Sequence, residues 1–151
     1  MNRRLRVLAV CSGGGHWIQM QRLVPALEGH CVTFATVKPS SRRYQNGARI
    51  LSIPDANRDT KIRLIWLLMK LAWIFLRCRP QVILTTGAAP GYIAIRLGRM
   101  IGARTLFLDS IANAERLSLS ARLALPHADV TLTQWPDLAE DSGSKYQGTV
   151  L

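Results

Sequence analysis

Short continuous apolar runs alternate along this chain with longer segments of helical period. Leu5 to Cys11 (LRVLAVC) reads as a buried strand, broken by Ser12-Gly13-Gly14-Gly15-His16. Apolar residues at 17, 20, 23, 24 and 27 predict a helix over Trp17 to Leu27, stopped at Gly29. Cys31 to Val37 is rich in β-branched and aromatic residues and predicts a second strand. A polar, basic loop over 38–47 leads to a short third strand, Ala48 to Ile53. Thr60 to Arg79 predicts a long helix that ends before Pro80. A strand (Gln81 to Thr86), a loop (Gly87 to Gly91), a helix (Tyr92 to Ile101) and a strand (Arg104 to Leu108) follow. Between 115 and 125, Leu117, Leu119, Ala121 and Leu123 alternate as in a strand, whereas the order of elements argues for a helix. Asp129 to Thr133 reads as a strand, and Tyr146 to Leu151 begins another strand or a linker.

Strands that are apolar throughout, alternating with helices, form parallel sheets covered on both faces. The expected fold is therefore a single α/β domain over residues 1–151, with a doubly wound, Rossmann-like parallel sheet. Ligands of such sheets sit beyond the carboxyl ends of the strands. The loops at 12–16, 87–91 and 109–114 all fall on that edge.

Charge sharpens this picture. Residues 1–108 hold 17 basic and 3 acidic residues, and residues 109–151 hold 3 basic and 6 acidic. The basic part calls for an anionic partner: nucleic acid, a phospholipid surface or a phosphorylated ligand. Nothing beyond charge supports nucleic acid, because no recognised module is present and the tryptophans are not interleaved with arginine on a strand face. Three cysteines without a CxxC pair, and three scattered histidines, give no disulfide framework and no metal cluster, and fit a reducing cytoplasm. The basic N-terminus lacks the apolar stretch and cleavage site of a signal peptide.

Four segments carry candidate chemistry. The Ser12–His16 loop either lets backbone N–H groups approach an anion at a helix N-terminus or is a glycine turn that only lets the helix pack closely. It matches neither the phosphate-loop pattern nor GxGxxG, since Ile18 stands at the last glycine and Lys38 follows the second strand in place of an acidic residue. A dinucleotide cofactor is disfavoured and no cofactor is expected. His16 reads either as a general base or anion partner, or as a capping or packing residue. Gly87-Ala88-Ala89-Pro90-Gly91 is a second strand–loop–helix turn, open to a substrate or simply tight. Asp109, with Ser110 after it, reads as a proton acceptor or sugar ligand, or as the N-cap of the next helix. In the 62–77 helix, Arg63, Lys70 and Arg77 line one narrow stripe, flanked by Trp66 and Trp73. The rest of its circumference is apolar, yet its uncharged runs are far shorter than the ~20 residues that span a bilayer. Such a helix lies in a membrane interface or beneath a partner, or else covers a core.

Cys11 to His16, Thr86 to Gly91 and Val130 to Pro136 (VTLTQWP) occur together in an order and separation that resemble a known family. It is the acceptor-side subunit family of split glycosyltransferases. Its members include the membrane-recruiting subunit of the two-part UDP-N-acetylglucosamine transferase of dolichol-linked oligosaccharide synthesis, and bacterial PssD-type subunits of exopolysaccharide synthesis. The likeness covers essentially the whole chain. It implies the amino-terminal half of a GT-B fold and a separate nucleotide-sugar-binding chain as partner. It also implies a peripheral place on the cytoplasmic face of the plasma membrane and a polyprenyl-diphosphate-linked sugar as acceptor. Gly13 to His16 would face diphosphate, Gly87 to Gly91 the acceptor lipid diphosphate, and Asp109 an acidic acceptor-binding position. The chain departs from the related one-chain peptidoglycan enzyme where Ala-Ala-Pro follows Gly87 and where Asp109-Ser110 replaces a Glu-Gln-Asn pattern. The competing expectation is a membrane scaffold that recruits a catalytic subunit without taking part in the chemistry.

Overall fold

Alternation along the first strand, β1 (Arg6–Cys11), sets the layering. Leu8 and Val10 point into one apolar cluster, and Val7, Ala9 and Cys11 into another on the opposite face. A strand buried on both sides needs helices above and below it. The structure, a computed structural model, describes residues 4–38, 44–45, 47–56 and 59–150. After β1 come α1 (Gly15–Arg22), β2 (Cys31–Val37), β3 (Tyr44–Gln45), β4 (Ala48–Ile53), α2 (Lys61–Cys78) and β5 (Val82–Thr85). Then follow α3 (Ala88–Met100), β6 (Arg104–Leu108), α4 (Leu119–Ala124), β7 (Val130–Thr133), α5 (Pro136–Ser142) and β8 (Lys145–Tyr146).

The sheet runs β3-β4-β2-β1-β5-β6-β7-β8. All neighbours are parallel except β3, which pairs antiparallel with β4. The chain grows outward from β1 through β2 to β4. Then α2 carries it back across to β5 on the other side of β1. The switch point of this doubly wound sheet therefore lies between the carboxyl ends of β1 and β5, where the following loops diverge and leave a crevice. Helices α2, α3 and α4 pack on one face through Leu67, Leu71, Ile74, Ile95 and Ala121. The other face is covered by α1 and the segment after it, through Met20, Trp17 and Leu23.

Several boundaries differ from the sequence expectation. The helix expected over 17–27 stops at Arg22, and Val24–Leu27 forms a separate 3-10 turn. Pro25 cannot donate an amide hydrogen bond and its ring would strike the preceding turn of an α-helix. The glycine-rich loop expected over 87–91 is shorter, because α3 begins at Ala88. The ambiguous 115–125 stretch holds the short helix α4, capped by the Ser118 hydroxyl, which accepts from the Ala121 amide at 3.1 Å. Helix α5, which no expectation from the sequence covers, starts at Pro136. The loop expected over 38–47 lies mostly outside the described residues. Within it Tyr44–Gln45 forms β3. Of the 146–151 stretch, Tyr146 ends β8 and Leu151 lies outside the described residues.

Two glycines set how closely α3 approaches the sheet. A Cβ on Gly98 would lie 2.6 Å from Cγ1 of Ile83, and one on Gly91 would strike the Thr85 hydroxyl. Gly91→Ala is therefore expected to destabilise the fold by about 1–3 kcal/mol through overpacking. A thermal melt should drop by roughly 2–4 °C for each kcal/mol. An unchanged melt would show that α3 can lift off β5 freely.

Candidate active site

At the β1–β5 switch point two loops are tied together. The Nδ1–H of His16 donates to the Thr86 carbonyl at 2.6 Å, and the Thr86 hydroxyl donates to the His16 carbonyl at 2.8 Å. Because a carbonyl can only accept, Nδ1 carries the proton and Nε2 of the neutral ring keeps its lone pair. Gly87 makes room for this ring: its φ is +118°, and a Cβ there would lie 3.0 Å from His16 Cε1. The backbone thus holds the imidazole in one tautomer and one orientation. His16 sits in the first turn of α1 but does not cap it. The cap residue is Gly14, at φ 65°.

The amino ends of α1 and α3 converge here, and neither carries an acidic residue in its first turn. Their free N–H groups and dipoles favour an anion. Ser12, Gly13 and Gly14 line a small hollow together with Lys38, which follows β2 in the left-handed region (φ 49°), and with the exposed Asp55. Gly13 has close quarters of its own, since a Cβ would lie 3.2 Å from the Val37 carbonyl. Gly15 begins α1 with open space around it. Ala88 also adopts a positive φ of 64°, a conformation that disfavours a side chain. Together with Gly87 it bends the chain into α3.

Beside the switch point opens an apolar cleft of about 730 Å³. Ser12, Asp55, Ala88 and Ala89 stand at its polar end. Leu64, Ile65 and Leu68 of α2 form one wall, with Tyr92, Ile93 and Leu123 opposite. A polar end set at two helix N-termini, with Asp55 in its lining and Lys38 in the adjoining hollow, opens into an apolar trough and suits an amphiphile with a polar head.

The structure redistributes several roles. Pro90 and Gly91, expected to face ligand, are buried in the first turn of α3, where Gly91 packs on β5. Ala88 and Ala89 line the cleft instead. Asp109 is 1% exposed, and both carboxylate oxygens are occupied. Oδ1 accepts from the Asn113 side chain at 3.0 Å and Oδ2 from the Ser118 amide at 2.8 Å. It does not cap the next helix, since Ser118 does that nine residues later, but it holds Ser118 in place. The Asp109 carbonyl in turn accepts from Gln19 at 3.3 Å and Gln134 at 2.9 Å. Ser110 turns inward on its own loop, its hydroxyl accepting from the Ala112 amide at 3.3 Å. Burial pushes the Cys11 thiol up to about 11, against partial relief from Thr36 and Thr86, so it stays a neutral core group.

Lys38 and Asp55 are contributors that sequence reasoning missed. Lys38 served there only to disfavour a dinucleotide site. Asp55 lies in no motif and reaches the cleft only because β4 ends beside β2. Thr86 acts through its carbonyl, which residue type does not reveal.

Helix α2 buries Leu67, Leu71, Ile74 and Phe75 and leaves a stripe of large apolar residues in solvent. Ile62, Trp66, Met69, Trp73 and Leu76 are 48–76% exposed. Lys70 and Arg77 flank Trp73, at 4.9 and 5.8 Å from its ring centroid, and Arg63 is exposed about two turns before Lys70. Among the described residues no helix is long and apolar enough to cross a membrane.

Comparison with known proteins bears on these features. The profile of the family described as "Oligosaccharide biosynthesis protein Alg14 like" matches residues 39–150. The UDP-N-acetylglucosamine transferase subunit ALG14 of Yarrowia lipolytica is 37% identical over 80 residues, covering 48% of this chain and 37% of that protein. The ALG14 subunit of Eremothecium gossypii is 36% identical over 67 residues, covering 40% of this chain and 30% of that protein. That of Candida albicans is 24% identical over 163 residues, covering 91% and 74%. Among solved structures, MurG of Acinetobacter baumannii superposes with a TM-score of 0.72 at 12% identity, over 94% of this chain and 45% of that one. UDP-N-acetylglucosamine 2-epimerase of Rickettsia bellii gives 0.72 at 11% identity, over 98% and 46%. At such identities the structural likeness speaks to fold alone. The fold is that of the amino-terminal half of GT-B enzymes, as expected from the sequence.

Proposed function

The chain belongs to the Alg14-like family of oligosaccharide biosynthesis proteins, and from that premise we propose that it is the acceptor-binding subunit of a two-component inverting glycosyltransferase. In this reading it lies peripherally on the cytoplasmic face of the plasma membrane. It presents a polyprenyl-diphosphate-linked glycan to a UDP-sugar bound by a separate chain. The observation that carries the reading is the apolar cleft that opens beside two helix N-termini and His16. The polyprenyl tail occupies the cleft and its diphosphate rests at the amino ends of α1 and α3, with Lys38 as a counter-charge. The relatives' description as a transferase subunit supports a partner chain.

The chemistry assigned to this chain is proton acceptance. As the acceptor hydroxyl oxygen bonds to the anomeric carbon, the bond from that carbon to UDP breaks and the hydroxyl proton passes to His16 Nε2. The Thr86 carbonyl, already bound to Nδ1–H, stabilises the cation that forms. His16 suits the base role better than Asp109, whose two oxygens are buried and taken up by loop hydrogen bonds. Asp109 and Ser110 then shape the 109–118 loop rather than touch the reacting atoms.

The test begins with a mild-detergent pull-down of this chain from its own cells, with mass spectrometry of what co-purifies in equal amount. The expected result is a nucleotide-sugar-binding chain, and transfer from UDP-sugar to a lipid-linked acceptor only when both chains are mixed. Transfer by the partner alone would leave this chain as a recruiting scaffold.

A further inference from the structure

A second groove, of about 930 Å³, lies at the opposite end of the molecule from the candidate site, on the amino-terminal edge of the sheet. It opens between the carboxyl ends of α2 and α3. Phe75 and Leu76 form one side and Leu97 and Met100 the other. Leu76 and Met100 are 76% and 79% exposed, and the neighbouring Ile101 is 53% exposed. Leu76 is also the last member of the apolar stripe along α2, so groove and stripe form one continuous apolar face.

Three arginines rim this groove: Arg6 at the start of β1, Arg79 after α2 and Arg104 at the start of β6. They are tied together directly and through Gln81. Arg6 Nε donates to the Arg79 carbonyl at 2.8 Å, and the Arg6 amide to the Gln81 side chain at 3.1 Å. The Arg104 amide donates to the Gln81 carbonyl at 2.9 Å. Arg79 sits at φ 41°, in the left-handed region, where its N–H donates to the Phe75 carbonyl at 2.8 Å. Among the described residues no carboxylate lies within ion-pair distance of these three, and the nearby Arg99–Asp129 pair does not involve them. Three like charges around an apolar trough repel one another until an anion sits among them. The occupant they fit has a negative head and an alkyl tail.

We infer that this groove binds one anionic phospholipid of the bilayer. Its phosphate sits on Arg6, Arg79 and Arg104 and an acyl chain lies along Phe75, Leu97 and Met100. The inference rests on the reading of the α2 stripe as a membrane face, and it adds a lipid contact distinct from the acceptor cleft. It fastens the carboxyl end of α2, while the acceptor cleft lies at the amino end.

The test uses the full chain in mild detergent with phosphatidylglycerol or phosphatidylcholine, and native mass spectrometry to count retained lipid. One phosphatidylglycerol should stay bound, with phosphatidylcholine retained about tenfold less. Arg79→Gln with Arg104→Gln should lower retention of phosphatidylglycerol about tenfold. Met100→Glu, at a surface position, should do the same without touching an arginine. Arg49→Gln with Arg122→Gln removes equal charge elsewhere and should leave retention unchanged. Equal loss in that control pair, equal retention of phosphatidylcholine, or a polypeptide found in place of lipid would each overturn the inference. Vesicle sedimentation keeps the two readings apart. A wild-type chain that ignores vesicles sinks the membrane face, whereas absence of retained phosphatidylglycerol in micelles sinks the groove.

Discussion

Replacing His16 with alanine is expected to lower turnover of the proposed two-chain enzyme, once reconstituted, by about 10²–10⁴-fold, the usual worth of a positioned general base. The fold should survive, because the ring is half-buried and its one hydrogen bond reaches a backbone carbonyl at a loop. His16→Gln is the sharper control. Its amide can still donate to Thr86 but offers no basic nitrogen, so it should restore loop order without restoring turnover. Acceptor binding should persist in both variants, so KM for acceptor changes little while kcat falls. Near-normal kcat in both would remove His16 from the chemistry and favour the scaffold reading. Asp109→Ala should behave differently. It leaves the Ser118 amide and the Asn113 side chain without their acceptor, a loss of about 1–3 kcal/mol, so its defect should appear in stability first.

On the proposed membrane reading, making the α2 stripe polar should sharply weaken binding to vesicles. Trp66, Met69 and Trp73 are 63%, 62% and 48% exposed, so changing all three to glutamine leaves the core intact. Burying each such side chain in an apolar phase is worth about 1.5–3 kcal/mol in full, and roughly half of that here. The summed loss corresponds to a drop of about 10²–10³-fold in partition onto vesicles. Sedimentation with vesicles of mixed neutral and anionic lipid measures it directly. Lys70→Gln with Arg77→Gln should have a smaller, salt-dependent effect, since those charges add only about 1 kcal/mol each near an anionic surface. If the apolar triple variant still sediments like wild type, the stripe serves another partner.

Much of the fold was legible because local patterns reported it faithfully. The continuously apolar runs at 5–11 and 31–37 are what a strand buried on both faces requires, and both became central strands. Where local rules competed, the reading slipped. Apolar spacing carried the first helix through Pro25, although the missing amide ends it at Arg22. The glycines at 87 and 91 looked like one loop. They serve two different contacts, Gly87 with the His16 ring and Gly91 with Thr85, and a helix begins between them. Helix α4 alternates like a strand in sequence because it is short and only Ala121 and Ala124 are buried.

The sequence by itself determined the fold class, the carboxyl-edge position of the glycine loops and the excess of apolar surface on α2. Each of these follows from periodicity and side-chain type. The tautomer of His16, the inward turn of Asp109, the approach of Lys38 and Asp55 to the Ser12 loop, and the arginine-rimmed groove were decided only by tertiary structure. Each depends on groups far apart in the chain, often on a backbone carbonyl that every residue type carries alike. The parallel sheet joins them, because its crossover after β4 brings β5 back beside β1 and sets residue 16 against residue 86.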